Sequence, residues 1–387
     1  MEKKNRSVFL KRTLSYVLVA ALASTATWFA ADLLPNSKLE RLSSAITHQF
    51  IGQADKTAME DAAAEAMIAA LGDRWSYYIS AEEYAAHLDR QSNEYVGIGV
   101  TIQSQPEKDG YIVMAVTAGG PAEEAGILPG DILTHADGAA LGELSATEAK
   151  EMIMGEKNTT VELTLLRGEE VLVCSVTRRT IHNKVAEGQM LTDTLGCVTI
   201  QNFHTGAGKE TIAAIEALRE QGAEKLIFDV RNNPGGYVHE MVEVLDYLLP
   251  EGPLFRSEDY AGKVTVDESD ADYLDMPMAV LVDENSYSAA EFFAAALDEY
   301  DAAVVVGTQT CGKGYFQSSF ELSDGSAVGL SIGKYTTPNG VSLADVGITP
   351  EVYVEVDEET AFKIYAGVMD PAEDPQIQAA IAALNGV

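Results

Sequence analysis

Positive charge, cysteine, histidine and tryptophan are the scarce components of this chain. Its 387 residues hold 26 Lys and Arg against 60 Asp and Glu, a net charge of −34. A surface of that sign repels phosphate backbones, which argues against nucleic-acid binding. The three cysteines, Cys174, Cys197 and Cys311, are too few and odd in number for a disulfide framework. No pair of them has metal-ligand spacing, and the six histidines are scattered. No zinc site is expected, and nothing calls for a cofactor. Internal repeats and low-complexity tracts are also missing. What is present is ordinary for a globular protein: 47% hydrophobic residues, 7% aromatics, and length for two or three domains.

The few cations are unevenly spread. Residues 1–12 hold Lys3, Lys4, Arg6, Lys11 and Arg12 against Glu2, a balance of +4, which leaves −38 for everything after. Residues 13–31 then carry no charge until Asp32. As a helix those 19 residues would be about 28 Å long, close to the hydrocarbon thickness of a bilayer. Basic residues before the apolar run place the tip in the cytoplasm and the remainder outside. Ala21-Leu22-Ala23 also fits a small-x-small cleavage site, which would give a secreted protein. Because apolar sequence continues through Trp28, Phe29 and Leu34, the expectation is a single-pass signal-anchor over 13–34.

After Pro35 the sequence is polar. A helix is predicted over 56–71 from the spacing of Met59, Ala62, Ala66, Met67 and Ala70, and a second over 80–90. From about Asn93 the texture changes to short strands, at 101–103, 111–116, 160–166 and 170–176, with a helix over 146–154. Two glycine-bearing runs stand out. One is Gly97-Ile98-Gly99-Val100; the other combines Gly120-Pro121-Ala122, Ala125-Gly126-Ile127 and Gly130-Asp131-Ile132-Leu133. Together they resemble a PDZ domain, the first as its carboxylate-binding loop and the second as its other signature. Glycines let consecutive N–H groups face one hollow, which suits a carboxylate. The following strand offers an edge to an extended peptide, so free peptide C-termini are the expected ligand.

From Leu195 strands alternate with helices: strands over 195–200, 225–230, 278–282 and 303–306, helices over 208–220, 238–249 and 289–300. That order argues an α/β layer with mostly parallel pairing. Residues 315–335 read as strands joined by a turn at Ser323-Asp324-Gly325-Ser326, and the chain ends in an Ala-rich helix.

One stretch carries chemistry. Ser288 sits where an apolar strand turns into a helix, and Lys313, between Gly312 and Gly314, follows 25 positions later. A serine hydroxyl attacks only when a base takes its proton. A strand-to-helix turn exposes it and brings helix amides, Ala289 N–H first, to a developing negative charge. A lysine becomes a base when burial or a neighbouring cation lowers its pKa. On an extended segment Gln317 projects to the same side as Lys313 and can orient its amine. The competing readings are a helix-capping serine and a solvated loop lysine. Asn233-Pro234-Gly235-Gly236, between a buried strand and a helix, offers glycine amides that would complete an oxyanion hole, with Gly235 and Gly236 both open as the donor.

Ser288, Lys313 and Gln317 resemble the active site of the carboxyl-terminal processing peptidases, serine peptidases with a Ser–Lys dyad. The resemblance extends to Leu71-Gly72-Asp73 with Ser76-Tyr77-Tyr78, to Asp229-Val230-Arg231-Asn232-Asn233-Pro234-Gly235-Gly236, to Tyr335-Thr336-Thr337-Pro338-Asn339-Gly340 and to Gly347-Ile348-Thr349-Pro350. There are departures. Ser286-Tyr287-Ser288-Ala289-Ala290-Glu291 replaces the usual Ser-Ala-Ser-Ala-Ser-Glu, and Cys311 stands where an aromatic residue is common. Met154 precedes Gly155 where many members carry an arginine linking the PDZ domain to the catalytic site. Control by peptide binding is therefore expected to differ.

The resemblance implies a mixed α/β fold: a crotonase-like peptidase core over 181–356, an inserted PDZ domain over 92–180, a helical segment over 36–91 and a helical tail over 357–387. It implies a membrane-anchored endopeptidase acting on proteins with free C-termini, with homo-oligomerisation left open. The alternatives are an inactive PDZ adaptor on a peptidase scaffold and a His-dependent serine protease. The second lacks a Gly-x-Ser-Gly-Gly loop and a supported histidine.

Overall fold

The computed structural model describes residues 37–386, and the anchor expected over 13–34 lies outside them. Among the described residues no helix is long and apolar enough to cross a membrane. The chain divides into two compact units with the boundary at Tyr78 and Ile79.

The first unit holds helices α1 (Lys38–Gln49) and α2 (Lys56–Ala69). α1 is not among the helices predicted from the sequence. Its start is nevertheless written in a Ser-x-x-Glu pattern, for Glu40 N–H donates to Ser37 Oγ and Ser37 N–H to Glu40 Oε2. After α2 the Asp73 carboxylate accepts from the N–H groups of Trp75 and Ser76, both at 3.1 Å, and so forms the following turn. Tyr78 donates back to Asp61 at 2.6 Å.

The second unit begins with α3 (Ala81–Ser92), capped by Ser80. The chain then enters the PDZ fold through β1 (Glu94–Gly97). Its sheet holds β2 (Val100–Gln105), β3 (Gly110–Val116), β4 (Ile132–Ala136), β5 (Thr160–Arg167) and β6 (Glu170–Thr177), neighbours in that order, so β2 has a free edge. Helix α4 (Pro121–Glu124) and helix α5 (Ala146–Ile153) cover a core of Ile98, Val113, Leu133, Leu141 and Leu163. The chain leaves through β7 (Arg179–His182), which pairs antiparallel with β1, Glu94 opposite His182 and Gly97 opposite Arg179. Entry and exit are thus zipped together, as befits an insertion.

The remaining half is built on one sheet. In spatial order it holds β8 (Ala186–Met190), β9 (Leu195–Ile200), β10 (Lys225–Asp229), β13 (Met278–Val282), β14 (Ala303–Gly307) and β17 (Val352–Tyr353). Between β9 and β10 runs α6 (Ala207–Glu220), and α7 (Val238–Leu248) follows β10. A hairpin of β11 (Gly252–Asp259) and β12 (Val264–Ser269) comes next; its carboxylate-rich strands gave no clear apolar alternation in the sequence. β13 (Met278–Val282) is buried along its whole length, and α8 (Ala289–Glu299) and β14 (Ala303–Gly307) follow. Only β8 runs antiparallel to its sheet neighbour. β15 (Tyr315–Glu321) and β16 (Ala327–Thr336) pair across the predicted turn, and β16 pairs with β11 in a second sheet. β17 (Val352–Tyr353) closes the first sheet.

The period-two rule sorts the core. Val280 and Val282 face the side covered by α6, α7 and α8, with Ile215, Met241 and Phe293. Ala279 and Leu281 face the other side, which α10 (Pro375–Leu384) covers with Ile377 and Ala380 after the short helix α9 (Glu358–Tyr365). This is the mixed α/β class with an embedded PDZ fold that the sequence implied.

Candidate active site

Two serines compete for the nucleophile position, and their surroundings separate them. Ser286 is fully buried. Its Oγ accepts from Asp283 N–H at 3.0 Å and donates to the Val230 carbonyl at 2.7 Å. It fixes the loop between β13 and α8. Ser288 sits at the first turn of α8 with φ +60° and ψ −124°. The capping serines of this chain behave differently: Ser37, Ser80 and Ser145 all have φ between −95° and −62°, ψ near 160°, and accept from the N–H three residues on. Extended backbone is what a helix cap needs. The conformation of Ser288 is sparsely populated for a residue with a Cβ, and such strain persists only where surrounding structure enforces it.

The enforcing structure is the 233–236 turn. The backbone of Gly235 (φ +83°) packs directly on the serine: a Cβ there would lie 2.8 Å from Ser288 Cβ and 2.7 Å from the Tyr287 carbonyl oxygen. No side chain fits. Asn233, wholly buried, stitches the turn: Gly235 N–H donates to its Oδ1, its Nδ2 donates to the Ile200 carbonyl, and Tyr287 N–H donates to its carbonyl. The next residue is held by the peptide of Phe203, whose N–H donates to the Gly235 carbonyl and whose carbonyl accepts from Tyr237 N–H. Gly235 N–H is therefore committed to Asn233. Among the described residues the N–H groups of Gly236 and Ala289 have no hydrogen-bond partner.

Glu291 joins this turn to the lysine loop. Its side chain is buried at 0% exposure inside the first turn of α8. Oε1 accepts from Thr310 Oγ1 at 2.6 Å and Gly312 N–H at 2.7 Å. Oε2 accepts from Ser288 N–H and Lys313 N–H, both at 2.9 Å. Four donors satisfy a buried carboxylate that would otherwise be costly. Thr310 also accepts from Ile348 N–H at 2.7 Å, so the loop is tied to the segment before β17. The flanking glycines have a physical reason: a Cβ on Gly314 would lie 2.6 Å from Ala344 N.

Lys313 is half-buried and its Nζ lies 5.8 Å from the centre of the Tyr287 ring. Burial raises the pKa of Tyr287, with the nearby Cys311 adding to it, so the ring is a neutral phenol facing the amine. Gln317 stands on β15. Its amide nitrogen donates to Ser331 Oγ at 3.1 Å and to the Tyr315 carbonyl at 3.2 Å. Glu291 and Asn233, whose hydrogen bonds hold these segments, have no predicted task. The Ser288-x-x-Glu291 spacing was the available signal.

The Asp229 and Arg231 side chains of the glycine-turn motif serve the fold. Arg231 pairs with Asp229 at 2.6 Å and with Asp374 at 2.9 Å, and donates to Gln376. It fastens α10 to the end of β10. His239 is exposed, and His204 is packed against Tyr237, burial holding its pKa down. Among the described residues no group of three or more His, Cys, Asp or Glu side chains could hold a metal ion.

A groove of about 600 Å³ runs beside the PDZ loop. Gly97, Ile98, Gly99 and Val100 line it, with Ile102 of β2, Lys150 and Ile153 of α5, and Met154. Helix α3, outside the PDZ fold, contributes Ala86, Asp89 and Arg90 as a further wall. Met154 packs at the loop, its Cγ 3.9 Å from the position of a Cβ on Gly97.

Residues 194–354 match the sequence model of peptidase family S41, and residues 96–177 match that of a PDZ domain. The chain is 34% identical over 331 residues to a carboxyl-terminal-processing protease of Synechocystis, covering 84% of this chain and 76% of that protein. It is 30% identical over 332 residues to a CtpA-like serine protease of Staphylococcus aureus, covering 85% of this chain and 66% of that protein. A solved Bacteroides fragilis structure described as an S41 protease superposes with a TM-score of 0.55, covering 91% of this chain and 98% of that one; at 15% identity it speaks for the fold alone.

Proposed function

The chain belongs to peptidase family S41 and is a serine protease of the carboxyl-terminal-processing type, and on that premise we propose that Ser288 is its nucleophile and Lys313 its general base. The observation that carries this reading is the shared carboxylate: Ser288 N–H and Lys313 N–H donate to the same oxygen of Glu291.

In the proposed reaction the neutral amine of Lys313 takes the Ser288 hydroxyl proton as Oγ attacks a peptide carbonyl. The tetrahedral oxyanion is met by the N–H groups of Gly236 and Ala289, the donors left uncommitted at the turn. The Lys313 ammonium returns its proton to the leaving amine, and water then hydrolyses the acyl-enzyme along the same path. Gln317 supports the lysine. The groove at 97–100 captures the free C-terminus of a protein substrate and delivers the upstream chain. The uncharged run over 13–31 anchors the enzyme, with the acidic bulk outside the cytoplasmic membrane. Labelling by a fluorophosphonate probe, mapped to Ser288 by peptide sequencing, tests the nucleophile; a wild type that binds C-terminal peptides yet resists the probe would favour a non-catalytic adaptor.

A further inference from the structure

In the proposed reaction the side chain of Tyr287 has no task, although it sits between the two serines of the turn. Its backbone is fixed on both sides: its N–H donates to the Asn233 carbonyl at 3.1 Å, and its own carbonyl accepts from Ala290 N–H at 3.3 Å. The ring therefore projects from a rigid turn and has few torsions left to set. Lys313 starts from an equally fixed backbone, its N–H held by Glu291. A flexible four-carbon stem then separates that anchor from the amine, so the amine needs a second point of attachment. Both side chains are half-buried, and Lys313 Nζ lies over the Tyr287 ring, 5.8 Å from its centre.

An aromatic face attracts an ammonium that lies within about 6 Å of its centroid. It offers a neutral amine no comparable attraction, because the ring quadrupole acts on a full positive charge. Tyr287 is a neutral phenol, so the ring works through its face and not as a counter-ion. In the proposed reaction the proton leaves Ser288 Oγ as the new C–O bond forms. It stays on Lys313 Nζ until the C–N bond breaks and the leaving nitrogen takes it. Over that interval the lysine is charged, and the ring stabilises it more than it stabilised the amine. A contact that strengthens along the reaction lowers the barrier.

We propose that Tyr287 is a positioning residue whose ring face holds the Lys313 ammonium between proton uptake from Ser288 and proton delivery to the leaving nitrogen. This rests on the reading of Ser288 and Lys313 as nucleophile and base. The other titratable side chains on the elements packed around the lysine loop are Glu291, Cys311, Asp345, Tyr315, Lys334 and Tyr335. All of them stay the same in the variants compared, so a difference between variants reports the ring.

The test follows the rate at which a fluorophosphonate probe modifies Ser288 in the full-length protein, from about pH 5 to about pH 10. Fluoride leaves without a proton, so labelling isolates proton uptake; kcat/KM for fluorescein-labelled casein covers the whole cycle. Tyr287→Leu keeps apolar bulk but removes the ring, and Tyr287→Met is the second such variant. Each should move the acid limb of both profiles about one pH unit lower, because the ammonium has lost its stabilising face. The plateau rate should fall ~5-fold. Tyr287→Phe keeps the face and should follow the wild type. Far-UV circular dichroism checks that each variant is folded. A slower Tyr287→Leu or Tyr287→Met enzyme with an unmoved acid limb, or a Tyr287→Phe profile displaced as far as theirs, overturns the role of the ring and leaves the dyad intact. Lys313→Ala protein that is labelled as fast as the wild type overturns the dyad reading and the proposal with it.

Discussion

The backbone amides of Ser288 and Lys313, 25 residues apart in sequence, donate at 2.9 Å each to one oxygen of the buried Glu291. The side chain that caps α8 thereby sets the position of both segments that carry the proposed dyad. A strained serine and a loop lysine are held in register by one carboxylate with four donors.

Replacing that carboxylate is the first prediction. Glu291→Gln keeps the shape but turns one acceptor into a donor facing buried N–H groups. It should destabilise the fold by ~1–3 kcal/mol. Cleavage should fall chiefly in kcat, because the groove proposed to bind the tail is lined by other residues. Denaturant titration with steady-state kinetics separates the two effects.

Gly235→Ala probes the close approach at Ser288. The new Cβ would lie within 2.8 Å of Ser288 Cβ and of Ala289 N, at a backbone φ of +83°. The serine must move. A displacement near 1 Å slows a positioned reaction by ~100-fold. Far-UV circular dichroism should stay close to wild type while kcat/KM collapses; an unchanged kcat/KM would show that the turn does not position the serine.

Most of the fold was legible because its signals were local. Strand–helix alternation from Leu195 onward, the glycine pairs and the apolar run 278–282 each mark an element from neighbouring residues. What escaped depends on partners far away in sequence. Whether Gly235 or Gly236 keeps a free N–H is decided by the Asn233 side chain, itself held by the Ile200 carbonyl. The wall that α3 gives the PDZ groove is set by tertiary packing. The hairpin Gly252–Asp259 and Val264–Ser269 has no apolar alternation strong enough to announce it. Helix Lys38–Gln49 is marked in the sequence only by its Ser37 and Glu40 cap, since none of its residues is buried.

A pH dependence is built into the PDZ fold. Burial works against the Asp131 carboxylate, yet hydrogen bonds from Arg167 and Leu128 N–H and the guanidinium charge outweigh it and hold its pKa below the usual value. A lowered folded-state pKa contributes stability that is complete above the unfolded value, about 3.9, and is lost as pH falls through the folded value. Arg167→Ala should therefore destabilise the fold at neutral pH, modestly because water screens the exposed guanidinium. The difference from wild type should shrink as acid protonates Asp131. Thermal unfolding at neutral pH and at about pH 3 measures it; a difference independent of pH would remove the ion pair as its cause.

The most direct test of the dyad compares proteolysis of an unfolded protein with a free C-terminus by wild type, Ser288→Ala and Lys313→Ala, all shown to be folded. Both substitutions should lower cleavage by at least ~1,000-fold, and about equally, because nucleophile and base act as one unit. Full residual activity in purified Ser288→Ala would contradict the account.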